Sequence, residues 1–257
     1  MTLKLSTSLR TFVVGGGSVK DALQGGKILI YSGAQPATAD AAPTGVLLAT
    51  ITDASGAHTA EVQASATITL AGASGSVDNV TVGGIDVLDG IVPFNSSLAQ
   101  TAIDLANALN NSASNPEYTA SAAGAVVTIK AKRGTGAVAN GLAVVGTGTT
   151  LTATSSGNLT GGVSVVNGLK FGAATGGVLP KLPAQTWSGV AGATGIAGWF
   201  RFVGPVADSG ALDTTESDVR LDGAISTSGA QLNMSSTGVT SGATQTISSF
   251  PITLPTA

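Results

Sequence analysis

Three stretches place residue types at spacings that could do chemistry. The first is Gly25-Gly26-Lys27, a glycine pair ahead of a lysine. A phosphate-binding loop needs G-x-x-x-x-G-K, then Ser or Thr for the metal, then a helix whose amide end faces the phosphates. Here Asp21 stands at the first glycine position, Ile28 follows the lysine, and the next residues are strand-like. The stretch reads as a turn in which glycine supplies positive φ and Lys27 opens a strand with its charge in water. The second is Gly134 to Gly141, GTGAVANG. It carries G-x-G, but the third glycine is misplaced for a dinucleotide fingerprint and no helix pattern follows, so it reads as a turn between strands.

The third is acidic: Asp208, Asp213, Glu216, Asp218 and Asp222 fall within one short segment. A glycosidase needs only two carboxylates at the right separation, and clustered oxygens could hold calcium. Calcium loops space their ligands regularly around a glycine, and this segment does not. It reads as a solvated loop, with Arg201 and Arg220 bridging to the acids at the surface for little net energy. His58, the single histidine, has Asp53 and Glu61 near it in sequence, yet a lone loop histidine reads as solvated. There is no G-x-S-x-G nucleophile elbow. No catalytic, cofactor-binding or metal-binding residue is assigned, and no enzyme activity is expected.

Composition narrows the partners. The chain has 257 residues, 43% hydrophobic, with 10% charged and a net charge of −3, against about 25% charged residues in an ordinary soluble domain. Such a chain must wet itself with Thr, Ser, Asn and Gly or cover itself with neighbours. Without a basic stripe it has no general attraction for nucleic acid. No run approaches the ~18 apolar residues of a membrane helix, so no membrane partner is expected. The N-terminus lacks the apolar core of a signal peptide. Cysteine is absent, so packing and strand pairing must hold the fold.

The elements that would position these groups are mostly strands, read over 27–31, 46–51, 66–70, 79–82, 125–131 and 247–254. Ala66, Ile68 and Leu70 alternate with Thr67 and Thr69, and Val127, Ile129 and Ala131 with Thr128 and Lys130, the period of half-buried strands. One helix is clear: Leu98, Ala102, Leu105, Ala106 and Leu109 form an apolar stripe. Ser97 with Gln100 matches a capping box at its start, and Asn110 and Asn111 suit its end. A weaker helical turn falls over 5–14, where Leu5, Leu9, Phe12 and Val13 share a face, and a short one includes Val19 and Leu23. Both tryptophans and four of six phenylalanines follow residue 162. The chain is therefore expected to be mainly β. An antiparallel, sandwich-like outer domain comes from both chain ends (1–62 with 163–257), and a small α+β domain (63–162) is inserted in a loop, where insertions are tolerated; the alternative is a single continuous sandwich.

The string GWFRFVG, Gly198 to Gly204, puts large apolar faces on both sides of a strand. One side is core, and the other needs cover from a second layer or from another subunit. Trp199, Phe200, Arg201 and Phe202, with Leu5, Leu9 and Phe12 of the N-terminal segment, are the candidate interface residues, aromatics and arginine being the usual anchors.

Several motifs in one order carry a resemblance: IYSGAQPATAD, then LKFGAATGGV, QTWSG, GWFRF and DGAISTSGAQLNMSST. Together the flanks, about 155 residues outside the insert, resemble structural proteins encoded by tailed bacteriophages and prophages. The insert, with YTASAAGAVVTIKAKRGTGAVANG, more loosely resembles small α+β modules of phage tail and capsid proteins. The resemblance implies a non-enzymatic virion component, made in the host cytoplasm, which functions as a homo-oligomer without cofactors. The leading expectation is a capsid decoration or cement protein on the outer head surface, partnered with the major capsid protein, its segment up to Val19 an arm that orders on binding. One alternative is a tail tube, collar or baseplate part bound to other tail proteins. Another is a carbohydrate-binding receptor-recognition protein with Trp187 or Trp199 stacked on a sugar beside the Asp213 to Asp222 carboxylates.

Overall fold

The computed structural model describes residues 3–112, 117–215 and 217–253. The chain divides into two compact units, Met1–Ala60 with Val165–Ala257, and Glu61–Ser164 between them. It is mainly β, 41% strand and 12% helix, and consistent with a β-sandwich-like fold. In chain order the outer unit begins with β1 (Lys4–Leu5), α1 (Thr7–Val14), α2 (Val19–Leu23), β2 (Lys27–Ser32) and β3 (Leu47–Asp53). The insert contributes β4 (Ser65–Ala71), β5 (Ser76–Val82), β6 (Ile85–Asp86), β7 (Val92–Pro93), α3 (Leu98–Asn110), β8 (Tyr118–Ala123), β9 (Val126–Ala131), β10 (Val144–Thr149) and β11 (Thr152–Ser155). The outer unit resumes with β12 (Val178–Leu179), β13 (Trp187–Val190), β14 (Gly195–Val203), β15 (Arg220–Ser226), β16 (Leu232–Asn233), β17 (Gly238–Val239), β18 (Thr244–Ile247) and β19 (Ile252–Thr253).

The outer sheet runs β1-β15-β14-β2-β3-β13-β18, with β16 and β17 attached to β15 and β14. The long strand β14 sits within it, Phe200 opposite Ile30 on one side and Gly223 on the other. Because strand side chains alternate in direction, Phe200 and Phe202 point to one face and Trp199 and Arg201 to the other. The first face is an aromatic core. Phe171 lies 5.5 Å from both Trp187 and Phe202, and Phe250 lies 5.4 Å from Phe200, the offset and edge-on spacings that aromatic rings favour. On the second face Tyr31 stacks on Trp199 at 4.6 Å, and the indole N–H donates to the Thr44 carbonyl at 3.3 Å.

Two readings of the sequence change here. The segment 247–254 is not one strand: β18 ends at Ile247 and β19 starts at Ile252, with Leu254 outside the described residues. Phe250 turns into the core between them, and Pro251 has no N–H for a ladder. Nor is the N-terminal segment an arm awaiting a partner. Lys4 and Leu5 pair with Asp222 and Leu221. Ser6 donates its N–H to the Arg220 carbonyl at 2.9 Å and caps α1 through Leu9 N–H at 3.2 Å. Leu9 is fully buried, and Leu5, Phe12 and Val13 pack against the same core.

In the insert, β10-β5-β6, with β7 on β5, and β11-β4-β9-β8 form two four-stranded antiparallel sheets. The alternating residues Ala66, Ile68, Leu70, Val127, Ile129 and Ala131 are all buried, as are Ala102, Leu105, Ala106 and Leu109 of α3. The α3 cap is only half of a capping box. Ser97 Oγ accepts from Gln100 N–H at 3.1 Å, but the Gln100 side chain bonds Asp104 at 2.9 Å instead of returning to Ser97. At the end of the helix, Asn110 gives and accepts one hydrogen bond at 2.8 Å each with the backbone of Ala120, occupying the middle of the free side of edge strand β8.

Candidate functional site

The chemistry-bearing residues are used by the fold. Gly25 has φ +87°, and a Cβ on Gly26 would lie 1.9 Å from the Val203 carbonyl oxygen. The glycine pair is thus a turn that lets β2 approach β14, with Lys27 opposite Val203. His58 is half-buried, and its Nε2 lies 3.0 Å from the Gly25 carbonyl, so it donates there. Burial pushes its pKa down, against the pull of that carbonyl. The imidazole is a neutral pin on the turn, more enclosed than a solvated loop histidine.

GTGAVANG holds a filled anion nest. Gly134 N–H donates to both oxygens of Glu61 (2.8 and 2.7 Å), and Gly136 N–H donates at 2.9 Å. Glu61 is 2% exposed. Converging backbone amides in a glycine-rich turn make a concavity for an anion, and here the anion is the chain's own carboxylate. A short 3₁₀ turn follows, Gly136–Ala139.

The acidic segment departs furthest from its sequence reading. Arg201, Arg220 and Asp222 are no more than 1% exposed. Arg201 Nε and Nη2 donate to the two oxygens of Asp222, both at 2.8 Å, a bidentate fork between in-register neighbours. The guanidinium carbon also sits 5.5 Å from the Trp199 ring centroid. Arg220 donates through Nε and Nη2 to Asp208 at 2.7 and 2.6 Å, through Nη2 to Asp218 at 2.6 Å, and through Nη1 to the Asp40 carbonyl at 3.1 Å. Asp40 itself receives Thr7 N–H and Oγ–H at 2.8 and 2.9 Å. This is a buried ion layer clamping the loops over the second face of the outer sheet, not a solvated surface feature. Burial opposes ionisation of Asp208, but Arg220 and the Gly210 N–H outweigh it and hold the carboxyl below its ordinary value. Burial likewise opposes ionisation of Asp213, which the backbone N–H groups of Asp218, Ser217 and Thr215 nonetheless hold low. Asp218 is pushed up by burial and by the Asp208 charge, and Asp222 by burial against the pull of Arg201. Glu216 lies outside the described residues.

The candidate interface residues are therefore placed by the chain itself. Trp199, Phe200, Arg201, Phe202 and Leu9 are core, and Leu5 and Phe12 are half-buried against it. The second layer that GWFRFV demanded is intramolecular. Trp187 and Trp199 are both fully buried, so neither offers a ring face to a sugar, which removes the expected stacking platform. Among the described residues no cluster of three His, Cys, Asp or Glu side chains is placed to hold a metal, and no helix is long and apolar enough to cross a membrane. A groove of about 460 Å³ between the α1–α2 junction, β12 and β19 is lined by Val13, Val19, Val178, Leu179 and Ile252, with Lys20 beside it. The Lys20 ammonium donates to the Gly172 carbonyl at 3.0 Å.

The sequence named Glu61 only as a neighbour of His58 and Asn110 only as a helix terminator, so the carboxylate held by the Gly134 turn, the contact of Asn110 with β8 and the role of Asp40 were not foreseen. No family model matches the chain, and no curated protein or solved structure matches it either.

Proposed function

We propose that this chain is a non-enzymatic structural component of a tailed-phage particle, a decoration or cement protein that binds the major capsid protein on the outer head surface. The observation that carries this reading is the ion layer: Arg201, Arg220, Asp208, Asp218 and Asp222 are committed to one another and to the chain's own loops. Charged groups that could have served a substrate instead rigidify a β scaffold. The scaffold's surface carries exposed aliphatic side chains among Thr, Ser and Gly, including Val46, Leu47, Val190 and Ile196 in the outer unit. Surfaces of that composition suit burial against neighbouring subunits, where apolar contact adds stability by mass action. The order of the flanking motifs supports the same reading.

Cosedimentation of the purified protein with empty expanded heads, and separately with tails of the same phage, tests it. Saturable binding to heads is expected. Binding to tails alone, or assembly of the free protein into rings or tubes, overturns the decoration reading in favour of a tail component.

A further inference from the structure

Among the described residues the outer sheet ends on β18, and nothing pairs with the far edge of that strand. Along β13 the backbone bonds alternate in direction: Thr186 accepts from Ala54 N–H on the β3 side at 2.7 Å, while Ala191 donates to the Ala243 carbonyl on the β18 side at 2.9 Å. Alternate residues in an antiparallel ladder direct their peptide groups to opposite sides. Gln245 and Ile247, opposite Gly189 and Trp187, therefore bond β13, and the peptide groups of Thr244 and Thr246 point away from it. Both threonines are exposed, and among the described residues neither has a partner on that outer side.

Three other strand edges among the described residues are defended. Asn110 occupies the middle of the free side of β8; β1 is two residues long with the Lys4 ammonium held by the Pro36 carbonyl; β6 is two residues long and ends on Asp86. Short length, charge and cover are the usual defences against stray pairing. Strand β18 has four residues, Thr-Gln-Thr-Ile, with no proline and no charge. No charged residue occurs anywhere from Gly223 to Ala257. Val190, opposite Thr244, is 56% exposed beside it.

We propose that β18 is a homotypic docking edge, at which two copies of this chain pair β18 antiparallel to β18 across a two-fold axis. A second copy of β18 brings an extended segment with free N–H and C=O groups and no charge of its own to oppose the pairing. Self-pairing sets the threonines of the two copies opposite one another as cross-strand pairs and brings no like charges together. The two-fold closes the assembly, so the open edge does not propagate into a fibre. The pairing does not depend on a virion role, and head cosedimentation tests that role separately.

Sedimentation equilibrium of the full chain over a concentration series tests the pairing, alongside Thr246→Lys. The lysine leaves the β13 ladder intact but sets two ammonium groups near the axis. The wild type is expected to rise from 24.8 kDa toward twice that mass. The variant should dissociate at least about tenfold more readily, partly recovering in high salt, with an unfolding midpoint equal to that of the wild type at concentrations where both are monomeric. Thr244→Lys provides the same reading should Thr246→Lys fold poorly. Slower exchange of the Thr246 amide in concentrated wild type is the accompanying signature. A wild type that stays monomeric throughout, or a dimer that neither lysine weakens, overturns the proposal.

Discussion

Arg201 and Asp222 stand opposite one another on β14 and β15, sealed from solvent, with two parallel N–H···O bonds of 2.8 Å between them. A buried pair of this kind adds little over a well-packed apolar pair, but breaking it strands a charge, which costs about 3–5 kcal/mol. Asp222→Asn is expected to lower the stability of the outer unit by roughly that amount. The double variant Arg201→Met with Asp222→Leu should be less destabilised than Asp222→Asn. Urea midpoints of the variants check this, and a double variant as unstable as Asp222→Asn counts against it.

The Arg220 clamp makes a pH prediction. Asp208 is held below the ordinary carboxylate value of 3.8, so its contribution is fully present above that value and is lost as pH falls through its depressed folded value. Asp208→Asn should therefore be less stable than wild type at neutral pH, with the gap closing in the acid range below 3.8. Asp218 is shifted the other way, so its contribution is present below 3.8 and lost as pH rises through its raised folded value. Thermal midpoints measured from neutral to strongly acid pH separate the two, and a gap for Asp208→Asn that widens on acidification contradicts the assignment.

Glu61 is bonded to amides 73 and 75 residues away. Glu61→Ala leaves the buried Gly136 N–H without its acceptor, at a cost of about 1–3 kcal/mol. Glu61→Gln keeps one carbonyl acceptor and should fall between. Hydrogen exchange at Gly134 and Gly136 should accelerate in the same order, with the strands of the outer unit unchanged.

Asn110 mimics a strand neighbour to Ala120. Asn110→Ala opens the middle of the β8 edge and removes two hydrogen bonds worth about 1 kcal/mol each. Concentration-dependent light scattering should rise in this variant, since an open edge is a template for pairing. Asn110→Ala scattering no more than wild type would place the role of Asn110 in the helix end alone.

Gly26 explains the glycine-lysine step. Its Cβ position meets the backbone oxygen of Val203 at 1.9 Å, so Gly26→Ala must push β2 and β14 apart. A loss of stability well beyond the ~1 kcal/mol of an ordinary glycine replacement is expected, measured by thermal unfolding.

Local patterns settled by a few neighbouring residues were legible in the sequence. The period of two in β4 and β9 marked the buried sides correctly, because burial of one sheet face needs only that alternation. The stripe from Leu98 to Leu109 and the Ser97 cap placed α3, since both act within one or two turns of chain. The run of strands, capped helix and strands between HTAEVQ and LTGGVSVV set the expected edges of the insert at 62/63 and 162/163, and the compact units divide at 60/61 and 164/165.

What the residues bond to over long distances was decided only by tertiary structure. Gln100 had two possible partners, and the position of Asp104 one turn on drew it away from Ser97. Arg201, Arg220 and the nearby acids look like a wet loop in one dimension, because their burial comes from residues 34–46 and the N-terminal segment folding over them. Phe250 breaks an otherwise strand-like run because the aromatic core has a place for it, a fact stored in Phe200, Phe202 and Trp187. Composition and periodicity alone specify a β-rich chain with one good helix and an insert. Whether a charge met water or a partner was a matter of dielectric surroundings, which exist only once distant strands have come together.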